Sequence, residues 1–314
     1  MSPSTLTLPP PVAGLFDRIT IDPDLVSATV DGRSVHATSR YELRKELSAK
    51  VYDVLHAGRG EDEPALPYHA RDKGFERRLA DAVPHEWTRE RLPLLGIGED
   101  HAVVLREGVR VRVPLSALAD ADTPVPGEEV PVRVRPYRAL LSPGFFFVDG
   151  TRSSRGAGAI LRVYLHLRDI EGAETVWRRL LPHLEGSGAF YRTKVLSTPA
   201  LYPRRDALVV YLAEESAGHT RGIVDLLAGS PELGDETPAF AERLAPGLAT
   251  AWEPADARKA FQGLSFGQHR AYLIVDSLIE AIEEGEPLAK VARRKFAEAN
   301  VEFGNPARNA SEHL

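Results

Sequence analysis

The sequence predicts an α+β fold, in which an N-terminal helical portion is followed by a mostly antiparallel sheet flanked by helices. Two observations lead to this prediction. Short alternating or apolar runs, which are typical of strands, are concentrated between residues 102 and 212. Runs with helical spacing lie on both sides of them, and the two types do not alternate as they do in a doubly wound parallel sheet.

The first third of the chain shows mainly helical patterns. Residues 1–14 are rich in Pro, Ser and Thr and are predicted to form a flexible tail. Residues 39–56 have apolar side chains at helical spacing after a serine cap, and a Gly-Arg-Gly stop follows them. Residues 59–66 are predicted to be a charged loop, and residues 75–87 are compatible with a second helix. We therefore predict an N-terminal helical region over residues 15–100.

The rest of the chain is predicted to form one domain over residues 101–303. Residues 102–113 indicate two short strands about a Glu-Gly turn. Further strands are predicted at residues 131–135, 144–148, 159–167, 190–196 and 206–212. Helices are predicted at residues 171–184, 217–228, 266–284 and 287–300, the last with Pro in its first turn. Residues 304–314 are predicted to be a frayed C-terminus.

Composition excludes several classes of protein. The chain is 43% hydrophobic and 27% charged, which is typical of a globular protein. A net charge of −6 provides no basic field for nucleic acid or an anionic membrane. The absence of cysteine excludes disulfides, a thiolate nucleophile and cysteine metal ligands. No apolar run approaches the roughly 20 residues that span a bilayer, and the first residues lack a signal-peptide pattern. We therefore expect a cytoplasmic protein with no nucleic-acid or membrane partner.

Three catalytic templates match poorly. Residues 263–267 fit the pattern Gly-x-Ser-x-Gly, but residues 254–261 before them do not form a buried strand, so the start of a helix is the better interpretation. Residues 153–159 are rich in small side chains but lack the Gly-Lys-Ser/Thr of a phosphate-binding loop, and we expect a mobile loop there. The ten histidines include no His-x-x-x-His pair, so no metal site is predicted.

Polar side chains share one face of three strand-like segments, because side chains alternate between faces along a strand. They are Arg162, Tyr164 and His166 in the first segment, Arg192 and Lys194 in the second, and Tyr202, Arg204 and Asp206 in the third. Guanidinium groups that converge on one place can hold phosphate or carboxylate. An ordinary half-exposed antiparallel sheet shows the same alternation, so the residues alone leave both interpretations open.

Lys194 is the only lysine between Lys73 and Lys259, in a stretch where every other cation is arginine. Arginine stays protonated at any useful pH, whereas lysine can act as a base when its pKa is lowered. The position is therefore a candidate for a titratable amine. An exposed surface lysine is the alternative.

Six sequence blocks in order resemble the HopA-type effector-like family, over roughly residues 140–275. The blocks are Leu141-Ser-Pro-Gly-Phe-Phe-Phe-Val148, Arg162-Val-Tyr164, Phe190-Tyr-Arg-Thr-Lys-Val-Leu196, Tyr202-Pro-Arg-Arg-Asp206 with Val209-Val-Tyr211, Leu244-Ala-Pro-Gly-Leu248 and Ser265-Phe-Gly-Gln-His-Arg270. Members of this family occur as type III effectors of plant pathogens. Others are stand-alone proteins in pathways for ribosomally made, modified peptides, including class V lanthipeptides and thioamitides.

This resemblance implies a phosphoserine/phosphothreonine lyase, a carbon–oxygen lyase of peptide maturation. A separate phosphotransferase-like kinase would phosphorylate Ser or Thr of a precursor peptide. The lyase would then eliminate phosphate and leave dehydroalanine or dehydrobutyrine. The resemblance implies no metal or organic cofactor.

The resemblance also implies roles for the polar face. Lys194 would be the base that removes the Cα proton, with its pKa lowered by neighbouring arginines. Arg192 and Arg204 would hold phosphate, and His166 or Tyr164 would protonate the leaving oxygen. Arg162, Tyr202 and Arg270 would bind or orient the substrate. Asp206 would hold an arginine in place.

Two other functions stay open at this point. The chain could be a non-catalytic interaction module or effector-like protein that binds a kinase, a leader peptide or a host protein. It could also be a phosphatase, although it has no cysteine nucleophile and no evident metal cluster.

Overall fold

The computed structural model describes residues 7–60, 71–118, 124–152 and 158–310. The helices are α1 (Pro10–Phe16), α2 (Arg40–Val51), α3 (Lys73–Asp81), α4 (Ile170–Ser187), α5 (Thr220–Leu227), α6 (Phe266–Glu284) and α7 (Leu288–Glu298). The strands are β1 (Ile19–Ile21), β2 (Ser27–Val30), β3 (Arg33–His36), β4 (Thr88–Ile97), β5 (His101–Arg106), β6 (Val109–Pro114), β7 (Glu129–Val134), β8 (Tyr137–Ser142), β9 (Phe145–Asp149), β10 (Ile160–Leu167), β11 (Tyr191–Leu196), β12 (Arg204–Ala213), β13 (Glu242–Ala245) and β14 (Leu248–Trp252).

Some predicted segments lie wholly or partly outside the described residues. They are residues 1–6 of the predicted tail, residues 61–66 of the charged loop, residues 153–157 of the predicted mobile loop and residues 311–314 of the C-terminus. Within the described ranges, no helix is both long and apolar enough to cross a membrane.

The central sheet has seven strands in the order β13-β14-β10-β12-β11-β9-β8, and every neighbouring pair is antiparallel. Helices cover both of its faces. The predicted α+β class, with a mostly antiparallel sheet flanked by helices, is confirmed.

One face of the central sheet is apolar. Its strands contribute alternate residues such as Leu161, Val163 and Leu165, which are buried under α4 and α5. Trp177 of α4 is fully buried in this layer, and its indole Nε1 donates a hydrogen bond to the Leu79 carbonyl (3.1 Å). This contact also attaches α3 to the layer, because Leu79 lies in that helix.

The opposite face is covered by the N-terminal elements together with α6 and α7. Val12, Leu43 and Leu55 belong to the same core as Phe266 of α6 and Phe296 of α7. The N-terminal part is therefore packed onto the central sheet.

The N-terminal part differs from the prediction because it contains strands as well as helices. Residues 10–16, in the predicted tail, form α1, and Val12 is fully buried. Strands β1, β2 and β3 form a small antiparallel sheet before α2. Asp31 (φ 48°) and Gly32 (φ 78°) make the turn between β2 and β3. Asp-Gly favours such a two-residue hairpin, so the signal was present in the sequence.

A second antiparallel sheet has the strand order β6-β5-β4-β7 and a small core of its own. The predicted Glu-Gly turn joins β5 to β6 at Glu107 and Gly108. The helix predicted over residues 75–87 ends at Asp81, and β4 begins soon after it at Thr88.

Asp149, at the end of β9, joins this sheet to the central one. Its carboxylate is 1% exposed and accepts hydrogen bonds from Arg192 Nε (2.6 Å) and Arg138 Nη2 (2.8 Å). Arg106 of β5 lies 3.8 Å from it and also pairs with the buried Glu90 of β4. A buried carboxylate of this kind is stable only because several cations surround it.

Residues 304–310 are packed, whereas the sequence predicted fraying from residue 304. Ala307 is 1% exposed, and its carbonyl accepts a hydrogen bond from the Trp252 amide (2.8 Å). Arg270 Nε donates to the Pro306 carbonyl (2.6 Å). These contacts are long-range, so the local composition of the segment did not reveal them.

We expect the substitution Asp149→Asn to lower the free energy of unfolding by about 3–5 kcal/mol, because it leaves buried arginines without their carboxylate. Urea unfolding followed by circular dichroism would measure the change. The matched control is Arg40→Gln, which removes the more exposed Arg40–Glu283 pair and should cost about 1 kcal/mol or less. Equal losses of unfolding free energy in the two variants would contradict the inference that Asp149 holds the two sheets together.

Candidate functional site

A cleft of about 530 Å³ opens between the charged face of the central sheet and the segment that leads into α6. Four strands contribute Ser142, Arg162, Lys194 and Tyr211 to it. The segment before α6 and the first turn of that helix contribute residues that include Glu253, Asp256, Ser265 and Gln268.

Lys194 projects into this cleft from β11. Its Nζ lies 4.2 Å from the centroid of the Phe145 ring, 5.8 Å from that of Phe147 and 5.9 Å from that of Tyr211. In the part of the chain that the structure describes, no carboxylate oxygen lies within 4.0 Å of this nitrogen. The amine is thus positioned by aromatic rings and stays available to a ligand.

Arg162 of β10 lines the cleft next to Lys194 and is held by Glu253. Its Nη2 donates to Glu253 Oε1 (2.7 Å), and its Nε donates to the other carboxylate oxygen. The guanidinium carbon also lies 5.0 Å from the centroid of the Tyr211 ring. This bidentate pair fixes the plane of a guanidinium that is only 7% exposed.

Arg204 and Asp206 form a buried pair beside the cleft. Arg204 Nε and Nη2 donate to Asp206 Oδ1 (2.8 Å) and Oδ2 (2.9 Å). The Tyr52 hydroxyl donates to Asp206 Oδ2 (3.0 Å) and accepts from Arg204 Nη2 (3.1 Å). Burial alone would raise the pKa of Asp206, but the adjacent Arg204 guanidinium holds this pKa far below its ordinary value. Arg204 lies over the same Phe145 ring as Lys194, so the pair borders the amine.

His56 also contributes to this region, although no pattern in the sequence indicated it. Residues Tyr52–Ala57 continue α2 as a π-helical turn, which places the His56 ring 5.2 Å from Tyr164 and 5.8 Å from Phe266. Burial lowers the pKa of this histidine to about 4. A Cβ atom at Gly267 would lie 2.4 Å from His56 Cδ2, so only glycine allows α6 to approach the turn this closely.

Asp256, at the edge of the cleft, anchors the segment before α6. Its carboxylate accepts hydrogen bonds from Arg258 Nη2 (2.6 Å) and from His269 Nε2 (2.9 Å). Burial would raise the pKa of Asp256, but Arg258 and His269 lower it to about 2. Burial, with the charge of Arg270, lowers the pKa of His269 to about 4.

The Gly-x-Ser-x-Gly stretch is the start of α6, as the sequence analysis favoured. Ser265 Oγ accepts a hydrogen bond from the Gln268 amide (3.4 Å), and Gln268 Oε1 accepts one from the Ser265 amide (3.0 Å). This reciprocal capping box occupies the serine hydroxyl as a helix cap. Among the residues described, no group of three or more His, Asp or Glu side chains is placed to hold a metal ion.

The structure brings together only some of the nine site residues that the sequence analysis named. Lys194 and Arg162 line the cleft, and Arg204 and Asp206 lie beside it. The Tyr164 side chain is 1% exposed and lies in the core near His56.

The other four predicted residues lie outside the cleft. Arg192 is engaged by Asp149. His166 bonds the Glu236 carbonyl through Nδ1 (3.0 Å), because a register shift between Leu165 and Leu167 turns this end of β10 away. The two remaining residues are Tyr202, which donates to the Leu196 carbonyl (2.6 Å), and Arg270, which is 1% exposed.

We expect the protein to lose stability between pH 6.5 and pH 4, because His56 and His269 stay neutral when folded. Each has a pKa of about 4 in the folded protein, whereas an unfolded histidine binds a proton near pH 6.5. Between these values the unfolded chain binds more protons, so stability falls as the pH falls, by about 2 kcal/mol for each histidine.

Urea unfolding at pH 7 and pH 4.5 would test this expectation in the parent and in the variant His56→Gln. The variant should lose less stability than the parent over the same interval. An identical loss in both proteins would show that His56 takes a proton as readily when folded as when unfolded.

The C-terminal part of the chain matches a known protein family. A family model described as the HopA1 effector protein family matches residues 137–308, which include all seven strands of the central sheet and helices α4 to α7. No curated protein matches the chain.

Two solved structures match this chain at low sequence identity. The effector protein from Pseudomonas syringae pv. tomato strain DC3000 is 16% identical, with a TM-score of 0.48, over 83% of this chain and 90% of that one. The effector protein from Pseudomonas syringae pv. syringae strain 61 is 14% identical, with a TM-score of 0.48, over 83% of this chain and 89% of that one. Because the family model matches more than half of its residues, the chain belongs to the HopA1 effector protein family.

Proposed function

We propose that this protein is a phosphoserine/phosphothreonine lyase that acts on a ribosomally made precursor peptide. The observation that carries the proposal is the amine of Lys194, which has no carboxylate partner among the described residues and lies in a cleft beside Arg162. A base next to an anion-binding group is the minimum that elimination of phosphate requires.

In the proposed step, Nζ of Lys194 removes the Cα proton of the phosphorylated residue. The electron pair of the Cα–H bond forms the Cα–Cβ double bond, and the Cβ–O bond breaks with its electrons leaving on phosphate. The product is dehydroalanine from phosphoserine or dehydrobutyrine from phosphothreonine. The Phe145 ring, 4.2 Å from Nζ, stabilises the ammonium that results from proton transfer.

Arg162 is the proposed ligand of the phosphate group. Its guanidinium lines the cleft, and Glu253 fixes its orientation through two hydrogen bonds. The cleft also includes Ser142 and the first turn of the 19-residue helix α6, whose positive end favours an anion. Arg192, by contrast, is held by Asp149 at the joint between the two sheets.

Proton transfer to the leaving phosphate is assigned to a different residue from those that the sequence indicated. Neither His166 nor Tyr164 lines the cleft, whereas the half-buried Tyr211 does. The Tyr211 ring lies near both Lys194 Nζ (5.9 Å) and the Arg162 guanidinium (5.0 Å). We therefore assign the general-acid role to its hydroxyl. A separate phosphotransferase-like kinase would supply the phosphorylated peptide.

The mass of a phosphothreonine peptide after incubation with the protein tests the proposed reaction. We expect a product one water lighter than the unphosphorylated peptide. Lys194→Ala and Lys194→Arg should each lower the rate by about a hundredfold or more, because neither side chain can accept the proton. The control Lys45→Ala changes an exposed lysine of α2 and should leave the rate unchanged.

Other masses would point to the other functions. A product with the mass of the unphosphorylated peptide would mean hydrolysis and would exclude the lyase. An unchanged phosphopeptide, with the variants folded as judged by circular dichroism, would favour an effector-like interaction module.

Arg162→Lys tests the proposed phosphate ligand. We expect the KM for the phosphopeptide to rise about tenfold, because lysine cannot reproduce the fork of guanidinium donors. Inorganic phosphate should also inhibit this variant less strongly than the parent. The comparison variant Arg192→Lys should keep its KM within about twofold, since Arg192 lies at the sheet joint. A larger rise in KM for Arg192→Lys than for Arg162→Lys would instead assign the phosphate site to Arg192.

A further inference from the structure

The four-stranded sheet carries a groove of about 660 Å³ that is separate from the Lys194 cleft. Its walls are partly apolar and include Leu92, Val104, Val113 and Val134. Trp87, which is 49% exposed, also lines it. Strands β4 to β7, which form this sheet, precede the region that the family model matches.

Three arginines at this groove have no carboxylate partner among the described residues. They are Arg112 on β6 and Arg133 and Arg135 at the end of β7. Arg112 contacts His101 Nδ1 (3.1 Å), and Arg135 lies over the Tyr137 ring at 5.4 Å. Across the described ranges, no Asp or Glu oxygen lies within 4.0 Å of any of the three. Positive charge therefore remains available to a ligand at this groove.

A trough of about 520 Å³ continues from this groove between two free sheet edges. Strand β6 pairs only with β5, and β8 pairs only with β9, as far as the described residues extend. The trough exposes Val109 of β6 (62%) and Leu141 of β8 (40%). A free edge with exposed apolar side chains is the surface to which an extended peptide can add as a strand.

The groove, the trough and the cleft follow one another. Arg106 and Val111 line both the groove and the trough. Leu141 lines the trough, and the next residue of β8, Ser142, lines the Lys194 cleft. An extended chain that follows this path would reach the proposed reaction centre.

We propose that the groove and the trough bind an extended, acidic segment of the peptide substrate that is distant from its phosphorylated residue. The segment adds as a strand to the free edge of β6, places apolar side chains in the groove and pairs its carboxylates with Arg112, Arg133 and Arg135. This inference rests on the proposed lyase function, because it places the phosphorylated residue of the same peptide in the Lys194 cleft.

Three kinds of synthetic peptide test the inference. The first is a short phosphothreonine peptide without charged neighbours. The second carries, at either end in separate syntheses, an extension of about eight alternating Glu and Val residues, which is the length of an ordinary strand. The third has the same extension with alternate backbone amides N-methylated, so that its charge is kept but its strand pairing is lost. Kinetics of elimination are measured for each peptide.

We expect the extension at one end to lower the KM about tenfold and to leave kcat similar. N-methylation should remove this gain. The double variant Arg112→Glu/Arg133→Glu should also remove it while processing the short peptide as the parent does. The control variant Arg221→Glu changes an arginine of α5, on the other face of the central sheet, and should keep the gain.

The remaining outcomes separate the inference from the proposed function. If short and extended peptides are eliminated with the same KM, the lyase stands and the docking site is overturned. If no peptide loses phosphate, the proposed lyase function fails. The docking site is then tested separately, by measuring binding of the labelled, unphosphorylated extension with fluorescence anisotropy. Binding that the double variant loses would support an acidic-peptide site, whereas no binding by the parent would overturn it.

Discussion

The structure depends on the pairing of buried arginines with carboxylates on one face of the central sheet. A buried guanidinium is costly unless hydrogen bonds and nearby opposite charge compensate it, and each pair here connects a different part of the fold to the sheet. Glu253 brings the segment before α6 to Arg162, and Asp149 ties the four-stranded sheet to the central one through Arg192. The Asp206–Arg204 pair is hydrogen-bonded to the hydroxyl of Tyr52, which belongs to the N-terminal part. Lys194 lacks such a partner among the described residues and lies in the cleft, and that combination defines the site.

Alternation along the strands was enough to predict the charged face and the fold class. It could not predict which charges are neutralised, because the partners are distant in sequence: Glu253 lies 91 residues from Arg162 and Tyr52 lies 152 residues from Arg204. His166 was misplaced for a different reason. Alternation puts it on the charged face, but a register shift in β10 interrupts that face just before it.

In the N-terminal part, by contrast, local sequence signals did indicate elements that were not predicted. The Asp-Gly pair between β2 and β3 marked a hairpin, and apolar residues in the first 16 positions anticipated burial of α1. The π-helical turn of residues 52–57, in contrast, has no sequence pattern that separates it from an ordinary helix end. Tertiary contacts also order residues 304–310, whose composition resembles a loose terminus.

The close approach of α6 to the π-helical turn at Gly267 has a consequence for how the family region should be delimited. Residues 137–308 carry the family resemblance, but their core on this side is completed by Val12, Leu43 and Leu55. A fragment cut at the boundaries of the match would expose Tyr164, Val209 and Phe266 to water. The matched region is therefore smaller than the unit that buries this core, and a fragment of this chain that is meant to fold has to include α1 and α2.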